Sequence, residues 1–73
     1  MKRQEVIAEI EAELEAAYAK HGRKPWSRHE FHSILLEEMD EMWDDIKANA
    51  PAAQLEKEIR QIGAVVIRYL ETK

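Results

Sequence analysis

Apolar side chains recur at helical spacing in three stretches of this 73-residue chain, and nowhere do they alternate as in a strand. From residue 3 to 21, Val6, Ile7, Ile10, Leu14, Ala17 and Tyr18 gather into a stripe about 120° wide, the width of a core-facing helix face. Glu9, Glu11, Glu13 and Glu15 fall mostly outside it. Lys20 and His21 then precede Gly22, cationic side chains suited to a carbonyl end followed by a residue that tolerates positive φ, so the helix is predicted to stop near His21. Residues 22–26 read as a loop. Ser27, three before Glu30, has the pattern of a capping box and predicts a second helix over about 28–47. Its apolar arc holds Leu35, Leu36, Met39, Met42, Trp43 and Ile46, with Trp43 expected in the core. Asn49-Ala50-Pro51 breaks that helix. Pro51 suits the first turn of a third one, over about 52–71, which presents Leu55, Ile59, Ile62, Val66, Tyr69 and Leu70.

Length then limits what such helices can do. A chain this short buries only about 60% of its unfolded surface, and oligomers, disulfides or a structural metal are the usual remedies. There is no cysteine, and His21, His29 and His32 have no zinc-like spacing. The expected architecture is all-α: a single domain, 1–73, whose three amphipathic helices complete a bundle by homo-oligomerisation, as a dimer or tetramer. Fifteen acids against eleven lysines and arginines, net −4, argue against a nucleic-acid polymer as partner. The longest apolar run, Ile62 to Ile67, is too short for a membrane span, and Met1 to Glu5 has no signal-peptide character. The cytoplasm is the expected location.

The candidate chemistry is acidic. Glu37, Glu38, Asp40, Glu41, Asp44 and Asp45 crowd the second helix, an arrangement that is ordinarily a solvated face. The helical period separates them, however: Glu38, Glu41 and Asp45 share a stripe with Ile34 beside the apolar arc, and Glu38 and Glu41, at i and i+3, can reach one point. On the third helix Glu58 falls inside the apolar arc, between Val65 and Tyr69. A carboxylate there must be paired, protonated or bound to a cation. Pairing with a basic residue such as Arg68 is one solution. Ligation of a hard divalent ion by Glu38, Glu41 and Glu58 is another. Lys20, Arg23, Lys24 and Arg28, with His29 and His32, around the start of the second helix, are either ordinary helix-end charge or an anion site for a triphosphate. Trp26 is either a stacking surface for a base or a loop anchor.

Glu38-x-x-Glu41, sixteen residues, then Glu58-x-x-Gln61 resembles the E-x-x-E…E-x-x-D signature of MazG-like nucleoside triphosphate pyrophosphatases. The flanks Leu35-Leu36-Glu37-Glu38-Met39-Asp40-Glu41-Met42-Trp43 and Glu58-Ile59-Arg60-Gln61-Ile62-Gly63-Ala64-Val65-Val66 are similar to short phage and bacterial members, and the likeness covers roughly residues 27–71. The resemblance implies an all-α dimer or tetramer that uses Mg2+, with Mn2+ as a substitute, to cleave nucleoside triphosphates to monophosphate and pyrophosphate. It implies Glu38, Glu41 and Glu58 as metal ligands. Gln61 stands where an Asp ligand is normal; it can coordinate through its carbonyl oxygen but brings no charge. Glu37 or Asp45 would orient or deprotonate the attacking water, and Lys24, Trp26, Arg28 and His29 would meet the substrate. The alternative is a non-catalytic helical homo-oligomer that keeps the scaffold.

Overall fold

A computed structural model describes residues 1–73. It contains three helices and no strand: α1, Arg3–His21; α2, Arg28–Lys47; and α3, Ala52–Thr72. The local signals act as expected. Gly22 adopts φ 77°, and its N–H donates to the Tyr18 carbonyl at 2.8 Å, closing α1. The Ser27 hydroxyl accepts from the Glu30 N–H at 3.1 Å, while the Glu30 carboxylate accepts from the Ser27 N–H at 2.9 Å, so the capping box starts α2. Asn49 turns the chain at φ 54°, a conformation Asn tolerates better than most residues. Pro51 stands just outside α3 rather than in its first turn, and its carbonyl accepts from the N–H groups of Gln54 and Leu55. α3 runs one residue beyond the expected end.

The helices form an open layer with α3 in the middle. α3 packs on both α1 and α2, which do not pack on each other. Toward α1, Leu14, Tyr18 and Ala64 form the buried core, with Ile10 and Ile67 against it. Gly63 permits that approach: a Cβ there would lie 3.2 Å from Ile10 Cδ1. Arg60 closes this side with ion pairs to Glu9 at 3.6 Å and Glu13 at 3.9 Å. Toward α2, the rings of Phe31 and Tyr69 stack with centroids 4.2 Å apart. Because the outer helices do not meet, one face of the layer is a groove of about 710 Å³, floored by α3 through Gln61, Ala64, Val65 and Arg68.

The opposite face is apolar and uncovered. Ile59, Val66 and Leu70 lie about half a turn round α3 from Gln61 and Arg68, and remain 37–56% exposed. Leu36, Met39, Trp43 and Ile46 form the matching stripe on α2, 46–55% exposed. Trp43 is therefore not a core residue of the single chain. The apolar arc of α2 is wider than one facing helix can cover, and Leu35 and Met42 take the part that is half-buried. Only four residues are buried in all: Leu14, Tyr18, Ala64 and Arg68. No helix is long and apolar enough to cross a membrane.

Candidate metal centre

Three carboxylates converge where α2 crosses α3. Glu38 and Glu41 occupy successive turns of α2, and Glu58 comes from the facing side of α3; one oxygen of each lies within 4.8 Å of the others. Glu38 and Glu58 are half-buried and Glu41 is exposed. No basic residue pairs with any of them. Arg68, the candidate partner for Glu58, packs instead against the loop before α2.

Electrostatics express this crowding. Burial raises the pKa of Glu58, and the Glu41 carboxyl raises it further, both as a neighbour able to share a proton and as a charge; Glu38 and Asp45 add to the effect. Glu38 is raised first by burial, then by the charges of Glu41 and Glu37. Sealed oxygens tell the same story: Glu38 Oε2, Glu58 Oε2 and Asp45 Oδ2 are buried without a hydrogen-bond donor. Buried acceptors normally have a donor or a cation, so three orphans in one neighbourhood are relieved either by protonation, which the raised pKa values favour, or by a bound cation.

The donor set suits a hard divalent ion. An ion held at about 2.1 Å spaces its oxygen ligands roughly 3 to 4 Å apart, so the observed cluster needs only small side-chain adjustments to close on one. Asp45 is the fourth acid of the stripe. Its Oδ1 accepts from Gln54 Nε2 at 2.8 Å, which fixes the side chain beside Glu58. Gln61, one turn beyond Glu58, is half-buried and lines the groove with Glu38 and Glu37.

The residues expected to meet substrate divide. Lys24 and Trp26 line the groove. Trp26 has one ring face covered by the Arg68 guanidinium at 4.0 Å, so it serves as a loop anchor, with less of its ring free to stack a base. His29 faces a separate shallow depression with Glu30, Ser33 and Ile34, and Arg28 lines neither. The helical period explains this: His29 lies opposite Glu38 on α2, and Arg28 lies about 80° from Glu38 on the apolar side with Leu35 and Ile46, away from the groove-lining Glu30 and Glu37. Arg68 is a groove residue that sequence reasoning assigned to an ion pair with Glu58 and not to a ligand. Its position one turn after Ala64 on the α1-facing side of α3 is a signal, but only once α3 is known to be covered on two sides. No family model, curated protein or solved structure matches this chain.

Proposed function

We propose that the protein is a divalent-metal-dependent nucleoside triphosphate pyrophosphohydrolase that works as a homo-oligomer. The observation that carries the reading is the convergence of Glu38, Glu41 and Glu58, with orphaned buried oxygens on Glu38 and Glu58, at a place where Glu38 also lines the open groove. The resemblance of Glu38-x-x-Glu41…Glu58-x-x-Gln61 to the MazG-like signature supplies the reaction class.

In this reading Glu38, Glu41 and Glu58 hold Mg2+ or Mn2+, and Gln61 contributes a carbonyl oxygen. The bound ion would neutralise phosphate oxygens and polarise the bond to be cleaved. Glu37 lines the groove beside Glu38, which supports it over Asp45 as the carboxylate that would orient a water there and take its proton. Asp45, tied to Gln54 and sealed at its other oxygen, is suited to keeping the cluster in register. Water attack at the α-phosphorus, with pyrophosphate leaving, would yield the nucleoside monophosphate.

Self-association is supported by surface area. A folded chain of 8.6 kDa exposes about 4,700 Å² by the usual scaling, whereas this one exposes 5518 Å². The excess, roughly 800 Å², is what each partner buries in an ordinary stable dimer. The apolar face of Leu36, Met39, Trp43, Ile59, Val66 and Leu70 is where a second copy would fit, leaving the groove open on the other side.

The test is direct. Nucleoside triphosphates are incubated with the protein and Mg2+, and products are followed by phosphorus NMR. Monophosphate and pyrophosphate should appear in equal amounts, and Glu41→Gln and Glu58→Gln should abolish them. Release of inorganic phosphate alone, or turnover unchanged in both variants, would refute the proposal. If no triphosphate turns over while the oligomer persists, the exposed face favours the second reading, a helical association module.

A further inference from the structure

Arg68 is an anomaly of charge. Its relative exposure is only 6%, yet no carboxylate pairs with it. Nη2 donates to the Lys24 carbonyl at 3.3 Å, and Nε is sealed with no acceptor at all. Nη1 is neither bonded nor sealed. The guanidinium lies over the Trp26 ring at 4.0 Å and near the Tyr18 ring at 5.6 Å. Aromatic faces offset part of the desolvation of a cation but do not neutralise it. A buried, unpaired charge of this kind is costly and calls for a counter-ion.

The surroundings show the sign and valence of that counter-ion. Lys20 and His21 at the end of α1 and Lys24 of the loop line the same end of the groove, so positive groups from three elements meet there. The acids around this end are already engaged: Glu71 accepts from the Tyr18 hydroxyl at 2.6 Å and pairs with Arg23 at 3.8 Å, Glu30 is held in the capping box within the field of Lys24, and Glu13 pairs with Arg60. Three permanent positive charges with a histidine match a multiply charged oxyanion better than a single carboxylate. The place is distinct from the carboxylate cluster, since Arg68 lies seven residues, or about 10 Å, along α3 from Gln61.

We infer that the Arg68 end of the groove is an oxyanion-binding site that takes a phosphate or polyphosphate group, with Trp26 as the plate that holds the guanidinium in place. The site needs neither metal nor hydrolysis, so it stands or falls separately from the proposed activity.

Calorimetric titration of pyrophosphate into the full chain, in chelator, is the test. Wild type should show saturable binding of one anion per chain, and folded Arg68→Met should bind at least about tenfold more weakly, the scale of one charge-assisted hydrogen bond. Because Arg68 also packs the loop, a second variant is needed: Lys20→Gln/Lys24→Gln, altered only at exposed positions, should weaken binding severalfold and keep its helicity. Inorganic phosphate, a nucleoside monophosphate and an unphosphorylated nucleoside distinguish the source of the group; the last should not compete. Absence of saturable binding to wild type would overturn the inference, as would unchanged affinity in folded Arg68→Met or in the double variant. Glu58→Gln should retain pyrophosphate binding while losing turnover. A wild type that binds the anion but cleaves no triphosphate would refute the hydrolase alone.

Discussion

Glu58 of α3 brings a carboxylate oxygen to within 4.8 Å of one from Glu41 on α2, and no ion pair from the chain relieves either. Without metal, this contact makes folding depend on pH. The pKa values of Glu58 and Glu38 are raised in the folded state, so folding favours their protonated forms. Their contribution is complete below the ordinary carboxylate value, about 4.3, and is lost as pH rises through the raised folded-state values. Glu30, lowered by its hydrogen bonds with Ser27, acts in the opposite direction, and its contribution is lost only as pH falls below the ordinary range. In chelator, the melting temperature of wild type should therefore decline as pH is raised above about 4.5. Glu58→Gln should flatten that decline and melt higher at neutral pH. Parallel melting curves for the two proteins from acid to neutral pH would show that Glu58 is not the source.

The capping box makes a separate, local prediction. Ser27→Ala removes the hydroxyl that accepts from the Glu30 N–H, a loss that costs about 1 kcal/mol at a typical N-cap. In a domain this small, the melting temperature should fall by roughly 4–8 °C. Ser27→Asp restores an acceptor and should recover most of the loss. Thermal melts monitored by circular dichroism check both.

The apolar face predicts the assembly. Trp43→Glu and Leu70→Glu each place a charge on a side chain that is 55% or 56% exposed in the single chain. Neither substitution disturbs a buried contact of the monomer, yet each would put an unpaired charge into a dimer interface. Sedimentation at micromolar concentration should find wild type associated and both variants shifted toward monomer with their helices retained. Variants that sediment like wild type would move the interface elsewhere.

Helix limits were legible in the sequence because their causes are local: Gly22 needs only its own φ, Ser27 and Glu30 need only each other, and Pro51 acts on its neighbours. Glu58 was legible as an anomaly because one carboxylate in an apolar arc conflicts with burial whatever the partner. The order of the helices was not. Periodicity identifies an apolar face but not which helix covers it, so Trp43 read as core although it lies beyond the reach of α3. The run Ile62 to Ile67 held the missing information. An apolar stretch that goes right round a helix marks one covered on two sides, and that is the central place of α3 between α1 and α2. Arg68 followed from the same fact, since only a central α3 buries a residue on its α1-facing side.

Gln61 offers the sharpest test of the metal reading. It lies one turn beyond Glu58, half-buried, on the groove floor that adjoins Glu38. In the MazG-like signature this position is an Asp ligand, so Gln61→Asp should tighten divalent-ion binding by adding a carboxylate. The same change places a fifth acid near Glu38, Glu41, Asp45 and Glu58, two of which already have raised pKa values from burial and crowding. Like charges so placed oppose one another's ionisation, and the metal-free variant should melt below wild type at neutral pH. Magnesium should then raise the melting temperature of Gln61→Asp more than that of wild type, because stabilisation by a ligand grows with its affinity for the folded state. A helical module without a metal site predicts a modest change, the same with chelator and with excess magnesium. Paired melts in the two buffers separate these outcomes, and a Gln61→Asp variant insensitive to magnesium would remove the metal from this face of α3.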